Sequence, residues 1–186
     1  MYLSYTIIEV RKLTCYERKC SIGTLSISVI LVVMLLIWNL VLTYTVSNNT
    51  PAHINSFNYA PENLANGGYI TFDTNRLIEK TDITHLEGTA DFVINQDGNY
   101  YVQFNTTIYE PPSTGREATL SLYLEHNNAT VYGTTVGETV ANAYQTVNLN
   151  FAVIIRASSG DILRVKNNSG TVVELLQPNL DIIRIK

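Results

Sequence analysis

Three histidines, His53, His85 and His126, are the side chains of this 186-residue chain best suited to bind a transition metal or move a proton near neutral pH. They are far apart in sequence and none belongs to a His-x-His pair of the sort that metal-binding β-barrel enzymes use, so they read as solvated or turn residues. Asp73, Asp82, Asp91 and Asp97 are oxygen donors of the type calcium requires, but calcium needs several of them converging from loops, and isolated loop aspartates ordinarily make turns. Glu110 and Glu117 flank the loop 111–116 and have the residue types of a glycosidase pair, yet they read more simply as solvent-facing charges. Cys15 and Cys20 are the whole thiol complement and have no partner pair, so neither a zinc site nor a disulfide framework is expected. No Gly-x-Ser-x-Gly elbow, phosphate loop or His-Glu-x-x-His helix occurs. The expectation is a chain without catalytic residues, cofactor or metal. Asn-x-Ser/Thr triplets begin at Asn48, Asn105, Asn128 and Asn167, as a composition rich in Asn and Thr would produce by chance.

What positions these side chains is a series of strands, of which Asp97 to Glu110 gives the clearest pattern. A turn at Asp97 to Asn99 leads into strict alternation. Tyr100, Val102, Phe104, Thr106 and Ile108 fall on one face, and Tyr101, Gln103, Asn105, Thr107 and Tyr109 on the other, before Pro111 and Pro112 stop the ladder. One face is apolar and suits a sandwich core. The other bears tyrosines and can meet solvent or another subunit.

Short apolar runs separated by turns continue on both sides. They are Tyr69 to Phe72, Ile83 to Leu86, Ala90 to Ile94, Ala118 to Glu125, Thr130 to Tyr132, Thr146 to Arg156, Ile162 to Lys166, Val172 to Leu176 and Leu180 to Ile185. Leu120, Leu122 and Leu124 make one inward row, and Leu149, Phe151, Val153 and Ile155 another. The pattern predicts an all-β sandwich of about nine strands over 67–186. In the last strand Leu180 and Ile182 point one way and Ile183 and Ile185 the other. A strand apolar on both sides predicts that a second subunit covers one of them. Ile182 is expected in the core, and Ile183 and Ile185, with Tyr101 and Tyr109, are the candidate subunit-interface residues.

Upstream, no Asp, Glu, Lys or Arg occurs between Lys19 and Glu62, and ISVILVVMLLIWNLVL spans Ile27 to Leu42. With its flanks, 22–46, this run has the length of a transmembrane signal-anchor, with Trp38 and Tyr44 toward the far interface. Four basic residues precede it, which predicts a cytoplasmic tail over 1–21 and an extracytoplasmic C-terminal domain. A cleaved signal peptide and a misplaced translation start are the alternatives, although NLVLTYTVSNNT offers no convincing small-x-small cleavage site. Residues 47–66, rich in Asn, Ser, Pro and Ala, read as a linker. Charge divides along the same line: four basic and two acidic residues in 1–46 give +2, and eight basic and fourteen acidic in 47–186 give −6, against −4 for the chain. A domain at −6 has no basic stripe for phosphates, so nucleic acid is excluded as an expected partner.

Several segments together resemble a known family. GGYITFDTN (Gly67 to Asn75) is similar to the opening strand of the C-terminal domain of BclA-type collagen-like exosporium glycoproteins, a domain within the trimeric jelly-roll group of tumour necrosis factor and the complement globular heads. DITH (Asp82 to His85), ADFVINQDGNYYVQFN (Ala90 to Asn105), SGDILRVKN (Ser159 to Asn167) and LDIIRIK (Leu180 to Lys186) resemble its paired, central, turn and closing strands in that order. The likeness covers roughly Ala65 to Lys186. The collagen-like region is missing and the apolar segment stands in its place. The resemblance implies a homotrimer with the closing strand near the three-fold axis, display at a cell or spore surface, and no catalysis. Two function classes follow: a structural assembly module, or a recognition module that binds a receptor or glycan through its loops or subunit grooves.

Overall fold

The computed structural model describes residues 29–44, 50–109, 117–141 and 145–185. The chain divides into two units, Met1–Thr50 and Pro51–Lys186. In the first, helix α1 covers residues 29–44. Its two polar side chains bond back to their own helix, Asn39 Nδ2 donating to Leu35 O at 2.8 Å and Thr43 Oγ1 to Asn39 O at 2.8 Å. The expected single-pass anchor over 22–46 is corrected here: among the described residues no helix is long and apolar enough to cross a membrane. At a rise of about 1.5 Å per residue the described residues of α1 span about 24 Å, short of the roughly 30 Å hydrocarbon layer. The flanks 22–28 and 45–46 and the tail 1–21 lie outside the described residues.

The second unit is all-β, and among the described residues it has twelve strands rather than about nine. They form two six-stranded antiparallel sheets in a jelly-roll sandwich. Sheet A runs β10 (Val147–Ala157), β6 (Gly98–Tyr109), β12 (Val173–Arg184), β1 (His53–Phe57), β3 (Thr74–Glu79), with β2 (Glu62–Leu64) beside β12. Sheet B runs β4 (Ile83–His85), β5 (Phe92–Ile94), β11 (Ile162–Asn167), β7 (Ala118–His126), β8 (Ala129–Thr130), with β9 (Val136–Val140) on β7. β1 and β2 lie where a linker was expected, so that stretch belongs to the second unit. Residues 69–72 make isolated bridges, Tyr69 to Lys166 and Phe72 to Thr89, in place of an opening strand.

The inward rows follow the alternation. Tyr100, Val102, Phe104 and Ile108 are fully buried and Thr106 nearly so, facing Leu120, Leu122, Leu124, Leu163 and Val165 of sheet B. Phe104 and Phe151 are cross-strand partners with ring centroids 5.3 Å apart. Tyr100 enters the core because its hydroxyl has a partner, donating to Gln96 O at 2.6 Å. The closing strand is one element carried through Pro178 by a β-bulge between Leu176 and Asn179. Leu175 and Leu180 stand opposite Ile108 and Phe104, so β12 has one residue more than β6 over that stretch. The extra residue lets an odd and an even position both reach the core, where Leu175, Leu180 and Ile182 are fully buried.

Candidate functional site

The histidines and aspartates do not converge. His53 Nε2 lies 3.0 Å from Asp181 Oδ1 on the outer face of sheet A. His126 Nε2 lies 2.7 Å from Asp161 Oδ2 at a turn. His85 stacks on Phe92 at 4.2 Å, with its ring nitrogens near Asn75 Oδ1 and Thr89 O, and burial pushes its pKa below the usual range. Asp82 pairs with Arg184 at 2.8 Å and Asp91 takes a two-pronged contact from Arg164, which holds its carboxyl below the usual range. Asp97 accepts from the Ser159 N–H at 2.8 Å, and Asp73 from the Thr74 hydroxyl. Among the described residues no three His, Cys, Asp or Glu side chains are grouped as a metal would need. Cys15, Cys20, Asn48 and Glu110 lie outside the described residues. Of the other triplet asparagines, Asn167 is closed to modification in the fold: it is 1% exposed, and its Nδ2 donates to Leu64 O and Thr171 O.

The outer face of sheet A is where unspent chemistry gathers, and strand register arranges it in rows. The first row is Ile154, Tyr101, Ile183, His53, running across β10, β6, β12 and β1. Next comes Ala152, Gln103, Asp181, Asn55, then Asn150, Asn105, Asn179, Phe57. One end of the face is therefore apolar and the other is a band of amides. Ile154 is 63% exposed and Ile185, just beyond β12, is 50% exposed, while Ile182 behind them is fully buried. Of the four candidate interface residues, Tyr101 and Ile183 are direct cross-strand partners and Ile185 follows just past the end of β12. Tyr109 shares the face but stands opposite Glu174, about 27 Å from Tyr101 along β6. Ile154 was overlooked because its neighbours Val153 and Ile155 carry the inward pattern; its own parity was the available signal.

The face of sheet B differs. There Lys166 pairs with the buried Glu125 at 3.2 Å, Tyr69 donates to Glu125 at 2.8 Å, and Arg164 lies over the Tyr69 ring. Cations and carboxylates thus satisfy one another within a subunit on that side.

Beside the amide band lies a polar groove of about 420 Å³ between the bulge of β12 and the segment after β1. Phe57 forms its inner wall, with Arg76 over the ring at 4.6 Å and Tyr59 edge-on at 4.5 Å. Asn58 braces that wall by donating to Glu62 and Thr71 O and accepting from the Asp73 N–H, and burial pushes the Glu62 carboxyl above the usual range. Asn55, 8% exposed, donates from Nδ2 to Asn179 Oδ1 at 3.1 Å and to Asp181 Oδ1 at 2.8 Å. Because a carboxylate can only accept, the amide orientation is set, and Asn55 Oδ1 is left buried with no donor. Sequence reading missed this groove because Asn55 and Tyr59 sat in the presumed linker.

No family model matches the chain, and no curated protein matches it. Among solved structures it resembles the globular domain of a zebrafish complement 1qA protein, with a TM-score of 0.54 and 13% identity over 73% of this chain and 98% of that one. Murine APRIL, in its pH 5.0 crystal structure, matches with a TM-score of 0.51 and 10% identity over 73% of this chain and 100% of that one. At such identities the likeness concerns backbone architecture: the second unit has the jelly-roll sandwich of the complement-head and tumour-necrosis-factor type.

Proposed function

We propose that the domain is a non-enzymatic assembly module that associates as a homotrimer through the apolar end of sheet A. The observation that carries this reading is the row Ile154, Tyr101, Ile183, continued by Ile185. These are large apolar side chains left at the surface on an ordered sheet whose core is already filled by Ile182 and Leu180. A closed three-fold ring would bury that row once on every subunit, against a different surface of its neighbour. The contrast with sheet B, whose Arg164 and Lys166 are paired with carboxylates within the subunit, supports sheet A as the associating side. Velocity sedimentation of the full chain tests it. Wild type should sediment as a trimer at micromolar concentration and Ile183→Asp as a folded monomer, since three carboxylates brought together oppose assembly while each core stays intact. A wild-type monomer at that concentration would sink the proposal.

A further inference from the structure

The groove at the other end of sheet A is a site in its own right, and we infer that it binds a neutral saccharide. This goes beyond self-association and does not depend on it. The groove's lining runs from Asp181 and Asn55, one ladder row or about 7 Å from the Tyr101 and Ile183 pair, to Asn105 and Asn179, two rows or about 14 Å from it, so a neighbour packed on the apolar row leaves the far part open to a ligand.

The lining decides the ligand class. Asn105, Asn179 and Gln177 present side-chain amides, each able to donate and to accept. A sugar hydroxyl has the same dual capacity, so amides and hydroxyls can satisfy one another without net charge. A phosphate would need donors alone and would meet the Asp181 carboxylate. A cation would need acceptors alone and would meet the Arg76 guanidinium. A hydrocarbon would leave the amides unpaired, at a cost that outweighs its own burial. The two charges that exclude other ligands each have internal work: Asp181 holds Asn55 and His53, and Arg76 lies over Phe57.

Two further features fit a saccharide. Tyr59 is 71% exposed while its position is held against Phe57, which leaves a flat apolar ring at the groove's mouth for the C–H face of a pyranose. Gln177 sits at the bulge with φ of 50°, a left-handed backbone that a long unbranched side chain rarely adopts. Bulges re-aim side chains, and this one turns an amide toward the groove rather than along the regular ladder.

Saturation-transfer difference NMR on the full-length chain tests the assignment, with the methyl glycosides of glucose, galactose, mannose and N-acetylglucosamine as probes. At least one should receive transfer from the protein. Tyr59→Ala and Asn105→Ala, both at solvent-facing positions, should each weaken its binding by about tenfold while their melting curves stay cooperative. Tyr132→Ala, which removes a still more exposed tyrosine elsewhere, should leave it unchanged. No transfer to any of the four glycosides overturns the inference. So does transfer that survives both groove variants, or displacement of the glycoside by inorganic phosphate, which would make Arg76 the centre of an anion site. Sedimentation of the same samples keeps the result separate from the assembly proposal, since a monomer that binds the glycoside refutes the trimer alone.

Discussion

Asp181 Oδ1 accepts a hydrogen bond from Asn55 Nδ2 at 2.8 Å across the β1 and β12 ladder, and the same oxygen lies 3.0 Å from His53 Nε2. One carboxylate thus fastens the first strand of the domain to the last and sets which way the Asn55 amide faces. Asp181→Ala should therefore leave a buried N–H without its strongest acceptor and cost about 1–3 kcal/mol. Asp181→Asn, which keeps an acceptor oxygen, should cost about half of that. Urea unfolding monitored by tyrosine fluorescence reads this as a lower midpoint at unchanged slope. An Asp181→Ala midpoint equal to wild type would show that the contact contributes nothing.

A second carboxylate gives a pH dependence of definite sign. Asp161 accepts from the Ser158 N–H at 2.8 Å and from Asn127 Nδ2 at 2.7 Å, with His126 Nε2 at 2.7 Å. Those contacts, the backbone bond first, hold its carboxyl at about 2 against an ordinary 3.8. The folded value is the lower one, so its stabilisation is complete above about pH 4 and is lost as pH falls through about 2. The amount is about 2 kcal/mol. Melting temperatures taken from pH 5 to pH 2 should fall more steeply for wild type than for Asp161→Asn, and parallel curves would refute the assignment.

Gly137 marks a strand that composition hides. It lies in β9 opposite Ser121, and a Cβ there would come 2.7 Å from Leu120 O and 3.1 Å from Ser121 Cβ. The obstacle on the near side is backbone, which cannot swing away. Gly137→Ala should cost about 1–3 kcal/mol through displacement of β9 from β7. Gly133→Ala serves as the comparison: space is open there, but φ is 81°, so its penalty is backbone strain without a clash. Hydrogen exchange should show faster Thr139 and Val140 amides in Gly137→Ala and unchanged ones in Gly133→Ala.

The contrast between β6 and β9 shows what the sequence makes legible. In β6, five inward positions alternate without interruption, and each of them is buried in the fold. VGETV has valines only at its two ends, and HINSF commits only Ile54 and the buried Ser56 to the interior, so neither β9 nor β1 carries a period-2 signal. Their pairing comes from the tertiary ladder, β9 on β7 and β1 between β12 and β3. For the candidate interface, parity alone put Tyr101 and Tyr109 on one face and Ile183 and Ile185 on one face. That Tyr101 meets Ile183 while Tyr109 meets Glu174 depends on register between distant segments, which no local pattern contains. The groove needs more still, because it joins Tyr59, Asn105 and Gln177 across a bulge that reads in sequence as a break at Pro178.

That bulge supplies the sharpest test of how the closing strand is built. Gln177 bears φ of 50°, where a Cβ is crowded by its own carbonyl and glycine is not. Gln177→Gly should therefore raise stability by about 0.5–1 kcal/mol, although it removes a side chain. Deleting Gln177 removes the extra residue, so Leu175 and Leu180 become four positions apart, as their partners Ile108 and Phe104 are. Parity then keeps Leu180 and Ile182 on the core face with no bulge to correct it. The deletion variant should keep wild-type sheet content and a cooperative melt by circular dichroism, while losing the amide that the bulge turns toward the groove. Loss of the cooperative melt would mean that the bulge itself, and not the parity it restores, is what seats β12 in the sheet.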